Sequence, residues 1–225
     1  MTFFDENPAD TLVLINPDNP SGNYIPKQDL LRLIDWTKQK GMTLLIDESF
    51  SDFSDELNNT MLNRELLEEN PHLFVMKSIS KSYGVPGLRL GILASGDTER
   101  IAELKKDVAI WTINSFGEFY LQIEEKYQKD YRAAMERFRA ERRRFVGELA
   151  GIRGLRTLPT QANYVMAELT GGMTSEELAK RMLRRNLLIK TLNNKVGGGE
   201  YVRIAVRNTE DNDKLLQALR EELEG

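Results

Sequence analysis

The chain has 225 residues, of which 40% are hydrophobic and 29% charged, the balance of a folded domain or a closely joined pair and not of a disordered tail. With no cysteine and a single histidine, it excludes a disulfide scaffold, a cysteine nucleophile and a thiolate zinc site, and no metal is expected. A net charge of -4 argues against a nucleic-acid partner and favours small-molecule chemistry. No stretch reaches the roughly 18 apolar residues of a membrane helix, and Met1 to Asp10 has neither a basic nor an apolar leader segment, so a cytoplasmic chain without a membrane partner is expected.

Short apolar runs alternate with helical patterns along the first half, the form of an α/β sheet with a largely parallel core. Strands are predicted at Thr11–Ile15, Thr43–Ile46 (ending at Asp47), Leu73–Met76 and Leu88–Ala94. Between the first two, Leu30, Leu33, Ile34 and Thr37 recur at helical spacing until Gly41. A further helix is expected around Met61–Glu69, and the short loop before the fourth strand favours an antiparallel pairing there. From Ser115 to Leu149 one helix-like stretch runs on, with a break allowed.

The remainder reads as a smaller unit: strand Tyr164–Leu169, a helix from Thr174 with Glu177 completing a capping box, strands Leu187–Leu192 and Tyr201–Val206, and a helix carrying Leu215, Leu219 and Leu223. The boundary is placed near residue 120, give or take about a dozen residues, which divides the chain into domains 1–120 and 121–225. Arg137–Arg144 reads as a basic run spread round a helix surface, His72 as a loop or surface residue, Trp36 and Trp111 as packing anchors, and Gly197–Gly199 as a loop tip. Ser80 and Ser82 read as binders of local backbone.

Ligands of open α/β sheets sit beyond the carboxyl ends of the strands, which singles out Asn19, Asp47 and Lys81, each at or just after a different predicted strand. Alone, an Asn-Pro-rich turn is a turn, a strand-ending Asp a helix cap and a lysine a surface charge. Their order is what informs. The segment Ser78-Ile-Ser-Lys-Ser-Tyr-Gly-Val-Pro-Gly-Leu-Arg-Leu-Gly91 resembles the lysine segment of fold-type I, class I/II pyridoxal-phosphate aminotransferases, Asn16-Pro-Asp-Asn-Pro-Ser-Gly22 resembles their NPxNPxG turn, Ile46-Asp-Glu-Ser-Phe50 their strand-ending Asp motif, and Tyr201–Val206 their arginine-bearing strand.

The resemblance implies an aminotransferase-like large domain, α/β and partial, with a mostly parallel sheet, plus a small α+β C-terminal domain. It implies pyridoxal 5'-phosphate as cofactor and a set of roles. Lys81 takes the cofactor aldehyde and then shuttles a proton; Asp47 keeps the pyridine nitrogen protonated; Asn19 bonds the ring oxygen; Ser78 and Arg89 hold the phosphate; and Arg203 takes a substrate carboxylate. Arg207, four residues on, competes with Arg203 for that role.

Two departures stand out. The family's N-terminal stretch, with a small-residue phosphate turn, a ring-stacking aromatic and much of the dimer contact, is not visible before Thr11, so an exposed sheet edge and apolar surface are expected. Phe50 stands where many relatives have a tyrosine. The Asp-Glu-x-Phe pattern is similar to histidinol-phosphate aminotransferase-like and threonine-phosphate decarboxylase-like members. The leading expectation is a transaminase acting between an amino acid or phosphorylated amine and a 2-oxo acid, as a homodimer. Alternatives are a threonine-phosphate-like decarboxylase and a catalytically silent fragment serving binding or assembly.

Overall fold

The computed structural model describes residues 2–193 and 195–225. Two units form. The first takes residues up to Pro17, Ile25–Asp52 and Glu56–Tyr131; the second takes Asp18–Tyr24, Phe53–Asp55 and Arg132–Gly225. Helix α6 (below) lies wholly in the first unit.

In the first unit a short helix α1 (Thr2–Glu6) precedes a four-stranded sheet in the order β1 (Thr11–Ile15), β2 (Thr43–Asp47), β3 (Leu73–Ser78), β4 (Gly91–Ser95). The first three strands are parallel and β4 is antiparallel to β3, as the short connection requires. Helix α2 (Lys27–Gln39) and helix α3 (Arg64–Glu69) are tied to this core, in which Leu30, Ile34, Leu44, Ile46, Met61, Leu73 and Val75 are buried together. Each such side chain contributes about 1.5–3 kcal/mol on burial.

His72 is a structural link, its ring nitrogen lying 3.2 Å from Thr37 Oγ1 and 3.1 Å from the Ile34 carbonyl of α2. Trp36 is half-buried with its ring 6.4 Å from that of Phe4.

Several elements are shorter than the apolar pattern predicts, for local reasons. Helix α3 starts at Arg64 because Asn63 caps it, accepting from the Leu66 N–H, while Met61 N–H is held by Glu48. β4 starts only at Gly91, because Pro86–Leu88 forms a 3-10 turn and Arg89 sits in the left-handed region at φ 56°. Between β3 and that turn lies a one-turn helix, α4 (Ile79–Ser82). Then follow α5 (Thr98–Lys106) and α6 (Ser115–Ile123). The long helical stretch is broken by a 3-10 turn at Glu124–Tyr127 before α7 (Gln128–Ala150).

Trp111 is not a packing anchor here: on the segment joining α5 and α6 it is 89% exposed, beside Ile110 at 92%. Both sheet edges are open, and Val13 on β1 and Ile92 and Leu93 on β4 are exposed.

The second unit is an antiparallel sheet in the order β5 (Leu155–Thr157), β6 (Tyr164–Leu169), β8 (Tyr201–Ala205), β7 (Lys190–Thr191), packed with α7, α8 (Ser175–Arg184) and α9 (Thr209–Glu224) around Phe145, Leu149, Leu178, Met182, Val202 and Leu219. β5 had no apolar signature. β7 is reduced to two residues because the Leu187 N–H returns to the Met182 carbonyl to close α8, turning through Asn186 at φ 60°. Thr174 caps α8, but Glu177 pairs with Arg181 and so supplies no reciprocal half of a capping box.

The basic run does not spread evenly over a helix surface. Arg142 is 2% exposed, donating to the Phe53 carbonyl at 2.5 Å, to Gln161 at 3.0 Å and to Asp55 at 2.9 Å, and burial pulls its guanidinium below its ordinary value while the Asp55 charge opposes this. Because Asp55 keeps contact with water, Arg142→Ala is expected to destabilise the fold by about 3 kcal/mol or a little less, measured by urea unfolding.

Glu141, hydrogen-bonded by Arg144 above all and also by Asn212 and Thr209, is held down to about 2 from an ordinary 4.5. A depressed carboxyl stabilises the fold above its unfolded value and loses that stabilisation as pH falls. Glu141→Gln is therefore expected to lower Tm at neutral pH, and the gap to the parent should close as pH falls from 4.5 towards about 2.

Candidate active site

β2 and β3 are parallel neighbours, so their carboxyl ends reach the same edge of the first sheet. Asp47 ends β2. Its Oδ1 accepts from the Ser49 N–H at 2.9 Å and the Ser49 hydroxyl at 2.5 Å, an Asx-type turn, while Oδ2 has no hydrogen-bond partner among the described residues. Ser49 Oγ in turn accepts from the Ser78 N–H at 2.9 Å. Ser78 ends β3 and caps α4, the helix that carries Lys81. A chain of three residues thus ties the aspartate to the lysine helix.

Lys81 is exposed, and its amine has no hydrogen-bond or ion-pair partner among the described residues; the nearest recorded group is the Phe50 ring, 5.9 Å from Nζ to the centroid. Ser78 and the buried Ser80 share a hydroxyl hydrogen bond of 2.7 Å, and Ser82 donates to Asp52 at 2.6 Å. Both flanking serines therefore bond side chains, and the reading of them as binders of local backbone is corrected. Arg89 spends one N–H on the Pro86 carbonyl and leaves the rest of its fork open. Its left-handed backbone costs about 1–3 kcal/mol, a strain typical of residues whose placement matters more than their comfort. Next to Asp47, the buried Glu48 is raised by desolvation, while the Thr60 hydroxyl and the Met61 N–H hold it; it fastens the chain before α3 and is structural.

Asn19 and Arg203 come together in the second unit. Arg203 Nη1 donates to Asn19 Oδ1 at 2.6 Å, and its guanidinium lies 5.1 Å from the centroid of the Tyr164 ring, whose hydroxyl donates to the Asp18 carbonyl at 2.8 Å. Because the amide oxygen is taken, Asn19 presents its NH2 as a donor, the polarity that a phenolate oxygen needs. Arg207 lies beyond β8 and pairs through Nε with Asp211 at 2.8 Å, whereas Arg203 on β8 is the arginine that meets Asn19. Sequence reasoning missed Ser49, Asp52 and Tyr164. For Ser49 the Asp-x-Ser spacing of an Asx turn was an available signal; for the other two only the fold supplies one.

The model for aminotransferase class I and II matches residues 5–219, and the chain belongs to that family. It is 34% identical over 222 residues to the CMP-5'-(3-aminopropyl)phosphonate synthase of Streptomyces rubellomurinus, covering 97% of this chain and 35% of that protein. With the L-serine phosphate decarboxylase of Sulfurospirillum multivorans the identity is 32%, over 97% of this chain and 57% of the relative. The solved histidinol-phosphate aminotransferase of Clostridium acetobutylicum superposes with a TM-score of 0.89 at 25% identity, over 99% of this chain and 66% of that one. The chain spans only part of the length of each. The family's cofactor is pyridoxal 5'-phosphate, and the donor set of the first unit fits it: a free amine, a carboxylate with an open oxygen, serine hydroxyls and an unfilled guanidinium fork.

The link through Ser49 can be isolated. Ser49→Ala leaves the Ser78 N–H without its acceptor and is expected to destabilise the first unit by about 1 kcal/mol, read as a lower urea midpoint with an unchanged slope.

Proposed function

We propose that this chain carries the cofactor lysine and the substrate arginine of a pyridoxal-phosphate-dependent decarboxylase acting on a small O-phosphorylated amino acid of the serine-phosphate type. The observation that carries the cofactor part is the unpartnered Lys81 amine on α4, tied through Ser78 and Ser49 to Asp47. Support for decarboxylation is the 32% identity to an L-serine phosphate decarboxylase over nearly the whole chain.

When bound, the cofactor supplies a conjugated pyridinium that accepts the electron pair left at the substrate α-carbon. Asp47, through Oδ2, would keep the ring nitrogen protonated. In the first unit Ser78 and Arg89 would hold the phosphate by charge-assisted hydrogen bonds, and in the second the Asn19 amide has an N–H suited to a ring oxygen. Arg203 holds an anionic group of the substrate through its free edge. As carbon dioxide leaves, Lys81 Nζ delivers a proton to the α-carbon, so the carboxylate is replaced by hydrogen.

A second reading, amino transfer to a 2-oxo acid, draws on the 0.89 superposition with a histidinol-phosphate aminotransferase. It would use the same residues and differs in which α-carbon bond breaks. The third, a catalytically silent piece, predicts no specific adduct at all.

The test is a spectrum of the purified chain with added pyridoxal phosphate, followed by borohydride reduction and mass mapping, and then release of carbon dioxide from carboxyl-labelled O-phospho-L-serine. The expected result is an adduct at Lys81 that Lys81→Ala abolishes, with carbon dioxide released in the absence of any 2-oxo acid. Turnover that requires a 2-oxo acid and releases no carbon dioxide favours the transaminase instead. Absence of a Lys81 adduct removes both enzymatic readings for this chain.

A further inference from the structure

The lysine helix α4 is a single turn of four residues, far below the roughly 12–15 at which a helix begins to hold itself in water. Since the Lys81 amine has no hydrogen-bond or ion-pair partner among the described residues, its position is set chiefly by whatever fixes the two ends of that turn. Both ends are gripped from one loop, the stretch after β2, beside an Ile79 N–H bond to the Leu90 carbonyl at 3.1 Å. At the front, Ser49 Oγ accepts from the Ser78 N–H at 2.9 Å. At the back, Asp52 Oδ2 accepts from the Ser82 hydroxyl at 2.6 Å.

The other oxygen of Asp52 is equally engaged. Asp52 Oδ1 pairs with Lys77 Nζ at 2.6 Å, and the two side chains are only 12% and 20% exposed, so this pair is shielded in a way that surface pairs are not. One carboxylate thereby grips the residue four before Lys81 and the residue one after it. The stacked rings of Tyr83 and Tyr131, 4.3 Å apart and within 3° of parallel, lie beside this cluster, and burial together with the Asp52 charge pushes the Tyr131 phenol up, so it stays neutral next to the carboxylate.

We propose that Asp52 is a positioning residue for Lys81: its carboxylate, bridging Lys77 and Ser82, holds the lysine helix in the orientation from which the Lys81 amine meets the cofactor aldehyde. This deepens the reading of Lys81 as the cofactor lysine and rests on it. Asp52 itself touches no reacting atom.

The experiment compares the parent chain with Asp52→Asn, Asp52→Glu and Ser82→Ala, using the rate of borohydride-trapped pyridoxal-phosphate adduct at Lys81, with the exposed Lys105 and Lys180 as internal controls, alongside Tm and hydrogen exchange of residues 79–83. In Asp52→Asn the Lys81 rate is expected to fall by about 10- to 100-fold, the penalty for a reacting group released from its bound orientation, while the control lysines keep theirs. Asp52→Glu is expected to recover a large part of it, and Ser82→Ala to give a smaller loss with faster exchange over 79–83.

A parental Lys81 rate in an Asp52→Asn chain that keeps the parental Tm overturns the proposal. If Asp52→Asn does not fold, Ser82→Ala decides in the same way. If the parent forms no Lys81 adduct, the cofactor reading fails by itself, and the exchange arm still judges the clamp: unchanged exchange in Ser82→Ala overturns it, and faster exchange supports it.

Discussion

The parallel pairing of β2 with β3 is the constraint on which the first unit's chemistry depends. Parallel strands bring both carboxyl ends to one edge, so the residue ending β2 and the residue ending β3 become neighbours although they are far apart in the chain. The loop after β2 then makes use of that proximity. Asp47 and Ser49 hold each other, Ser49 also holds the cap of α4, and Asp52 holds its last residue. A one-turn helix that would melt alone is kept in place by polar contacts from this short stretch and by the Ile79 N–H bond to the Leu90 carbonyl.

The second unit depends on a different balance. Its antiparallel sheet and three helices bury a continuous apolar core, but segments 18–24 and 53–55 join it through polar groups: Tyr164 on the Asp18 carbonyl, Arg203 on Asn19, and Arg142 on the Phe53 carbonyl and Asp55. A buried guanidinium is costly unless its donors are filled, and here those donors select which loop may pack there. The turn that carries Asn19 is held by the same unit that supplies Arg203, so the amide and the guanidinium orient each other.

The apolar runs made most of the strands and α2 legible, because periodicity and length respond to burial and burial dominates folding. Where prediction and structure part, the cause is local hydrogen bonding that hydrophobicity does not encode: the Asn63 cap that delays α3, the Pro86 turn and left-handed Arg89 that shorten β4, and the Leu187 return that cuts β7 to two residues. Trp111 and Arg142 exchanged their expected places for related reasons. A large aromatic is buried only where an element offers it a surface, and an arginine can be buried where carbonyls and a carboxylate fill its donors.

By itself the sequence determined the family, the order of the elements and the residue types that can hold a phosphate, an aldehyde and a pyridinium, because these are carried by side-chain identity at short spacing. Only the tertiary structure decided which groups are still free to act: Arg203 is brought onto Asn19, Ser82 and Lys77 are spent on Asp52, and among the described residues Lys81 and one oxygen of Asp47 have no hydrogen-bond partner. Availability is a matter of which partners lie within about 3 Å, and those partners come from elements remote in sequence, brought close by strand pairing and core packing.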